Sequence, residues 1–436
     1  MGKRILTLAT GAVLGAILFP AGLKLAVLWG LFPNRDLNHA SSYVREVLQI
    51  VNENYVDPKT SDYDSLVRAA LHGMVESLDP HSQFLEAKDD AALEEDLTGE
   101  FGGIGVEVEG HAGRVLVVGL VAGAPGDRSG IRRGDEITSI AGHRLAPDVA
   151  LDDVVDQLRG EPKTRVRLGL LRPETGKSFD VNLTRETIKE NSVGDARVLE
   201  GGVGYVQLKD FSEHTGDQFV DAVNRLLKQN INSLIIDLRD NPGGLLDAAV
   251  EVSEPFFKKG ELIVYTQGRK PSDREDYRAD GDGDPLDLPV AVLINAGTAS
   301  AAEIVTGALK DTGKAVIVGE RSFGKGSVQD IFKLKNGEAV RLTIARYYTP
   351  SGVTIHEKGI APQVEVVMTA DEDFKLRQQR EQPELTDGKE FKSLFGFEPI
   401  ADRQLQAAID VLKGVDLLDD QADVAAAAAK KARGGL

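Results

Sequence analysis

The 436-residue chain contains no cysteine. That absence excludes a disulfide framework, a cysteine-ligated zinc or iron–sulfur site, a thiol nucleophile and a lipid-modified cysteine near the N-terminus. Positive charge is also scarce: 51 Lys and Arg stand against 69 Asp and Glu, a formal net charge of −18. Such a surface repels nucleic-acid phosphate, so nucleic-acid binding is excluded as a general function. What is present suits a folded chain, with 42% hydrophobic and 28% charged residues, and roughly 100–200 residues per domain gives about three domains.

The N-terminus carries one long apolar run. Lys3 and Arg4 precede Ile5–Leu23, which holds no charged residue, and Lys24 then interrupts a resumed apolar stretch. About 20 apolar residues suffice to cross a bilayer. The basic flank stays cytoplasmic and places everything after about residue 33 outside. No Ala-x-Ala-like cleavage site stands out, so residues 1–33 read as an uncleaved anchor rather than a cleaved signal peptide. The expected location is periplasmic, attached to the inner membrane.

Residues 39–98 read as helical. Val44, Val47, Leu48, Val51 and Tyr55 share a helical face, Asp57-Pro58 breaks it, and Leu66, Ala69, Ala70, Met74 and Leu78 resume it. These helices either pack on a core or pair with a second chain. Asp79-Pro80-His81-Ser82 reads as a turn, because adjacent residues form a base–nucleophile hydrogen bond with difficulty.

Residues 99–185 form a distinct unit. Phe101-Gly102-Gly103-Ile104-Gly105-Val106 is a glycine-rich turn entering a strand, and Arg114–Leu120 is a second strand. Gly123-Ala124-Pro125-Gly126 and Gly134-Asp135 follow, then a short helix Leu151–Leu158 and a hairpin of Arg165–Leu171 with Lys177–Leu183. This order resembles a PDZ domain of the bacterial protease type. Such a module binds by adding a peptide strand to a sheet edge and capturing its terminal carboxylate on backbone N–H groups.

Residues 186–370 read as an α/β core and 371–436 as a C-terminal helical region and tail. Val203–Leu208, Ser233–Leu238, Leu262–Thr266 and Val290–Asn295 read as strands, and Thr215–Gln229, Leu245–Phe256 and Ala401–Leu418 as helices. Lys270–Asp287 is charged and glycine-rich and reads as a solvated loop. Its Asp280-x-Asp282-x-Asp284 spacing hints at calcium, but Pro285 stands where the turn glycine belongs. Neither a metal nor a cofactor is expected.

Three core segments carry chemistry. In Asn295-Ala296-Gly297-Thr298-Ala299-Ser300-Ala301-Ala302-Glu303, Ser300 opens a helix, where free N–H groups stabilise negative charge. It serves there either as an N-cap or as a nucleophile. In Phe323-Gly324-Lys325-Gly326-Ser327-Val328-Gln329, flanking glycines let the Lys325 backbone approach closely, so its amine can turn inward. To act as a base it must be neutral, which burial promotes. A phosphate-binding P-loop is excluded because Gly326, not Ser or Thr, follows the lysine. In Asp237-Leu238-Arg239-Asp240-Asn241-Pro242-Gly243-Gly244, the glycines can offer N–H groups to a reacting oxygen. The two aspartates are expected to bond the turn backbone rather than a metal.

Together the three segments resemble the C-terminal processing peptidases, serine proteases with a Ser–Lys dyad, and the resemblance runs from about residue 40 to 365. It implies a mixed α/β multidomain fold: a helical preface, a PDZ domain and a ClpP/crotonase-like protease core. It implies Ser300 as nucleophile, Lys325 as general base, Gln329 orienting the lysine, and Gly244 (with Gly243 beside it) and Ala301 as the oxyanion hole. Gly103, Ile104, Gly105 and Val106 would hold the substrate's C-terminus. The 347–361 stretch resembles the family's closing strands, with His356 in place of a glutamine. Implied partners are proteins with apolar C-termini, an adaptor protein, and further copies of the chain through the N- and C-terminal helices. The PDZ unit would block or align the active site, with Arg159 a candidate link. The competing readings are a catalytically silent PDZ scaffold, an acyl-CoA enzyme, which has no basic patch here, and a triad using His81, His214 or His356. The apolar terminus Gly434-Gly435-Leu436 suggests self-trimming or self-inhibition.

Overall fold

The computed structural model describes residues 35–111, 113–383 and 385–414. The expected anchor, residues 1–33, and the alanine-rich tail lie outside the described residues. Among the described residues no helix is long and apolar enough to cross a membrane.

The chain divides into two units, 1–84 and 85–436. In the first, α1 (Arg35–Asn54) and α2 (Tyr63–Glu76) are separated where expected. Asp57 accepts the Lys59 N–H in a turn at 3.0 Å, and Asp62 caps α2 by accepting the Ser65 N–H at 3.0 Å. The Asp79–Ser82 segment is a turn, its carboxylate accepting from the N–H groups of His81 and Ser82 at 2.8 and 2.9 Å.

The second unit begins with α3 (Ala87–Thr98). A ribbon of β1 (Glu100–Gly103) and, at the far end of the PDZ-like region, β7 (Glu186–Lys189) pairs antiparallel. Between them lies a sheet in the order β2 (Val106–His111), β3 (Arg114–Leu120), β4 (Glu136–Ile140), β5 (Arg165–Arg172) and β6 (Lys177–Thr184). The last two form the expected hairpin. Helix α4 (Leu151–Leu158) supplies Val154 and Leu158 to a core with Val115, Val117, Ile137, Ile140, Leu168 and Leu170. Burying each of these side chains is worth about 1.5–3 kcal/mol. Strand β2 lies at one edge of the sheet, so its outer side is open to a further strand.

The core sheet runs β8 (Val193–Val198), β9 (Val203–Leu208), β10 (Ser233–Asp237), β13 (Val290–Ile294), β14 (Val316–Gly319) and β17 (Val364–Glu365). Only β8 is antiparallel to its neighbour. Strands β9, β10 and β13 are buried at every position, as a parallel sheet covered on both faces requires. One face, including Val206, Ile236 and Val292, packs on α5 (Thr215–Leu227), α6 (Leu246–Ser253) and α7 (Ala301–Asp311). The other, including Tyr205, Ile235 and Leu293, meets Ala408 and Leu412 of a helix spanning 403–414.

A second, antiparallel layer joins β15 (Ser327–Lys333), β16 (Ala339–Tyr348), β11 (Leu262–Gly268) and β12 (Arg274–Arg278). Strand β12 corrects the sequence reading, which took Lys270–Asp287 as loop throughout. Its Arg-Glu-Asp-Tyr-Arg sequence has one apolar position, and Arg274–Asp276 and Arg278–Asp276 ion pairs at 2.7 Å accompany its backbone pairing. A charged strand of this kind is typical of a sheet edge. Two helices, α8 (Ala370–Glu381) and α9 (Gly388–Phe395), follow the core.

Candidate active site

The C-terminal ends of β10, β13 and β14 release three turns into one region, where open α/β sheets place their ligands. After β13, the Asn295–Ala299 turn delivers Ser300 to the start of α7. Ser300 has φ 55° and ψ −117°, a conformation that costs a non-glycine residue about 1–3 kcal/mol and recurs at functional sites. The turn is tied down by Thr298, whose hydroxyl donates to the Leu238 carbonyl at 2.8 Å. The Ala299 N–H donates to the Asn241 carbonyl at 2.9 Å.

After β10, the Asp237–Gly244 turn packs against Ser300. A Cβ on Gly243, whose φ is 97°, would lie 2.6 Å from the Ser300 Cβ and 2.8 Å from the Ala301 nitrogen. A Cβ on Gly244 would lie 2.0 Å from the Phe211 carbonyl oxygen. The Gly243 N–H donates to the Asn241 Oδ1 at 2.9 Å. Among the described residues, the N–H groups of Gly244 and Ala301 donate to no other group. Of the two glycines in the turn, Gly244 therefore has its donor available.

The aspartates of this turn are bonded, but not both to backbone. Asp237 accepts the Arg239 N–H at 3.1 Å and the Tyr205 hydroxyl at 2.7 Å, and pairs with the Arg239 guanidinium at 2.5 Å. Arg239 extends this to Asp402 at 2.9 Å. Burial pushes the Asp237 carboxyl up, but Arg239 outweighs it and holds the group below the usual aspartate range. Asp240 instead takes Arg377 at 2.8 Å and Arg380, both from α8.

After β14, the third turn carries Lys325 between two close backbone approaches. A Cβ on Gly326 would meet the His356 nitrogen at 2.3 Å, and one on Gly324 the Gly359 nitrogen at 2.9 Å. Burial, and then the like charge of Arg341, lower the Lys325 amine below its ordinary range, while Glu303 pulls it up.

Glu303 joins the serine and lysine turns. Its side chain is fully buried. Its Oε2 accepts the N–H groups of Ser300 and Lys325, each at 2.9 Å, and its Oε1 accepts the Ser322 hydroxyl at 2.5 Å and the Gly324 N–H at 2.8 Å. Burial raises its carboxyl above the usual range, and these four donors oppose the shift. Tyr347 is a second neighbour that the sequence reading missed. Burial pushes its phenol up to about 12, against a hydrogen bond with Ser300, and its N–H donates to the Gly326 carbonyl at 2.9 Å.

The structure sets the Gly243–Gly244 turn, through Gly243, against Ser300 and Ala301, and ties the Lys325 backbone to that of Ser300 through Glu303. It does not join the side chains of the expected dyad: among the described residues, no hydrogen bond links the Lys325 amine to Ser300 or to Gln329. Gln329 donates to Ser327 Oγ at 2.9 Å and Thr343 Oγ1 at 3.2 Å. Nor, among the described residues, is a histidine bonded to Ser300. His214 pairs with Glu100 at 2.9 Å, and His356 lies 3.8 Å from Glu357. Among the described residues no group of three or more acidic or histidine side chains is arranged to hold a metal.

The four expected groove residues, Gly103, Ile104, Gly105 and Val106, line a cavity of about 770 Å³ that also meets Arg159, Lys209 and Glu381. Gly105, with φ 67°, lies so close to Ala124 that a Cβ would come within 2.3 Å of the Ala124 Cβ. The N–H groups of Ile104 and Gly105 donate to no other group among the described residues. Arg159 pairs with Glu95 of α3 at 3.3 Å and lies 4.5 Å over the Phe101 ring, so it ties the PDZ-side helix to the ribbon.

Residues 202–366 match the sequence model of Peptidase family S41, and residues 102–183 match that of the PDZ domain. The chain is 36% identical over 370 residues to a carboxy-terminal-processing protease of Bartonella bacilliformis, covering 82% of this chain and 84% of that one. It is 36% identical over 324 residues to a probable CtpA-like serine protease of Staphylococcus aureus, covering 74% of this chain and 64% of that one. The fold is also similar to a solved putative S41 protease from Bacteroides fragilis, with a TM-score of 0.50 and 18% identity, covering 85% of this chain and 97% of that one.

Proposed function

Because the chain belongs to peptidase family S41, the carboxy-terminal-processing proteases, we propose that it is an exported serine endopeptidase that holds protein C-termini in its PDZ groove and cleaves near them with a Ser300–Lys325 dyad. The observation that carries this reading is the convergence of three turns on one serine. Ser300 stands at the head of α7, the N–H groups of Gly244 and Ala301 are available beside it, and Glu303 fixes the lysine turn to its backbone.

The neutral Lys325 amine takes the proton from the Ser300 hydroxyl as Oγ attacks the scissile carbonyl carbon. Burial and the neighbouring Arg341 charge favour the neutral amine. The carbonyl oxygen gains negative charge, which the Gly244 and Ala301 N–H groups and the α7 N-terminus stabilise. The Lys325 ammonium then gives its proton to the departing amine nitrogen, leaving an acyl ester on Oγ. Water, deprotonated by the amine, hydrolyses that ester and regenerates the serine. In the conformation described, the hydroxyl engages Tyr347; the reactive conformation moves it onto the Lys325 amine, with Gln329 turning from Ser327 to orient that amine.

The groove supplies selectivity. A C-terminal carboxylate sits on the N–H groups of Ile104 and Gly105, and its chain adds to the open edge of β2. Residues 1–33 hold the protein at the inner membrane with its bulk in the periplasm. Copies associate through α1, which has no buried residue and exposes Tyr43, Val47 and Ile50.

The test is cleavage of one apolar-ended peptide made with a free or an amidated C-terminus. The free form is expected to show a kcat/KM higher by about tenfold or more, since a charge-assisted hydrogen bond is worth about 1.5–3 kcal/mol. Ser300→Ala and Lys325→Ala are both expected to abolish cleavage. Equal rates for the two peptides remove C-terminal recognition, retained cleavage in either variant removes the dyad, and an inactive wild type leaves a PDZ scaffold.

A further inference from the structure

Helix α8 lies beyond residues 202–366, the stretch that matches the family's sequence model. It nevertheless reaches the turn that carries Gly243 and Gly244. Asp240 in that turn has φ 58°, a left-handed conformation that a non-glycine residue keeps only when its surroundings impose it. Four bonds impose it. The Asp240 N–H donates to Asn295 Oδ1 at 2.9 Å, and Asn295 Nδ2 returns a bond to Asp240 Oδ1 at 3.1 Å. The other two come from α8: the Arg377 guanidinium donates to Oδ1 at 2.8 Å, and the Arg380 guanidinium to Oδ2.

The two arginines differ in setting. Arg380 is 8% exposed and Arg377 47% exposed. Helix α8 also touches the serine turn directly, because Asn295 Nδ2 lies 3.4 Å from Asp373 Oδ1. Asp240 and Asn295 belong to the two turns that meet at Ser300, and a Cβ on Gly297 would lie 2.8 Å from Asp240 Oδ1.

We propose that Arg380, with Arg377, is a positioning residue for peptide cleavage: through Asp240 it holds the Gly243–Gly244 turn in register with Ser300. The inference rests on the assignment of that turn to the oxyanion hole. Without the guanidiniums, a partly buried carboxylate is left at a strained position and turns toward water, taking the turn with it. An oxyanion donor displaced in this way weakens the transition state far more than the bound substrate.

The experiment uses the full chain with Arg380→Ala, Arg380→Lys, Arg377→Ala, Asp240→Asn and the Asp240→Asn/Arg380→Ala pair. Arg380→Ala is expected to lower kcat by about 10- to 100-fold, the scale of a misplaced catalytic group, with KM changed less than about threefold. Arg380→Lys should restore most of that loss, and Arg377→Ala should cost about two- to fivefold, as a half-exposed partner. In the Asp240→Asn background, Arg380→Ala should add less than about twofold, because both act through one contact. Amide hydrogen exchange supplies a readout that needs no catalysis: the Asn241 and Gly243 amides, bonded to the Leu238 carbonyl and Asn241 Oδ1, should exchange about tenfold or more faster in Arg380→Ala, with the amides of β5 unchanged. Unchanged exchange in the turn overturns the proposal, as does kcat within twofold of wild type, or a loss equal in the lysine variant. A wild type that cleaves nothing refutes the proposed function instead, and exchange alone then decides whether Arg380 holds the turn.

Discussion

Replacing Glu303 by glutamine tests how the serine and lysine turns are held together. Each carboxylate oxygen accepts from two donors: the Ser322 hydroxyl and Gly324 N–H on Oε1, the Ser300 and Lys325 N–H groups on Oε2. A glutamine has one acceptor oxygen and one NH₂; its better orientation turns the NH₂ toward Ser322, whose hydroxyl can reverse and accept, and leaves the Gly324 N–H facing a donor. Losing one bond to a charged acceptor costs about 1.5–3 kcal/mol and weakening the other three to neutral bonds about 1 kcal/mol each, in all about 4–6 kcal/mol before relief of the buried charge. That relief is real, because burial pushes the Glu303 carboxyl up, so a net loss of about 2–3 kcal/mol is expected. The turns then separate, and kcat should fall by about 100-fold or more. The assay pairs urea unfolding of Glu303→Gln at neutral pH with kcat on the free-carboxylate peptide. A variant with wild-type unfolding and kcat within threefold would refute the reasoning, because the four bonds would then hold nothing.

The kcat/KM of the wild type should rise with pH through the lowered pKa of Lys325, since only the neutral amine accepts the proton. Its plateau should come below the ordinary lysine value of about 10.4. Arg341→Gln removes the like charge beside the amine and should move that limb to higher pH in the same profile. Gly105→Ala forces a Cβ to within 2.3 Å of Ala124 at φ 67°. It should lower cleavage of the free-carboxylate peptide to the level of the amidated one while leaving the latter unchanged. Asp135, 1% exposed and paired with Arg172 at 2.7 Å, should on replacement by Asn cost about 3 kcal/mol in urea unfolding at neutral pH. Burial raises the Asp135 carboxyl, but Arg172 and the Arg132 N–H outweigh it and set it below the unfolded value. The pair's contribution is therefore present above the unfolded aspartate pKa and fades as pH falls through the folded one, so wild type and variant should converge in acid.

Where side-chain alternation and turn residues agree, the fold is legible in the chain: Arg114–Leu120, Leu151–Leu158 and Val203–Leu208 have the bounds their patterns predict. Strand β12 was hidden because its stability comes from backbone pairing and ion pairs, and its side chains give no apolar period. Ser300 and Lys325 stand out because glycines mark the tight backbone around them. Glu303 is less conspicuous, although Ser300-x-x-Glu303 is the capping-box spacing and could have found it. Tyr347 and Arg341 sit in an ordinary strand pattern, and the contacts of Asp240 with Arg377 and Arg380 join residues far apart in sequence, so no local signal marks them.

The most direct test of the Ser300–Lys325 account is covalent trapping with a fluorophosphonate, which reacts with an activated serine, followed by intact-mass and peptide mapping. The account predicts one adduct per wild-type chain, on Ser300, forming faster as pH rises through the lysine limb. It predicts no adduct in Ser300→Ala and almost none in Lys325→Ala. An adduct on another residue, or one on Ser300 forming equally fast in Lys325→Ala, would contradict it.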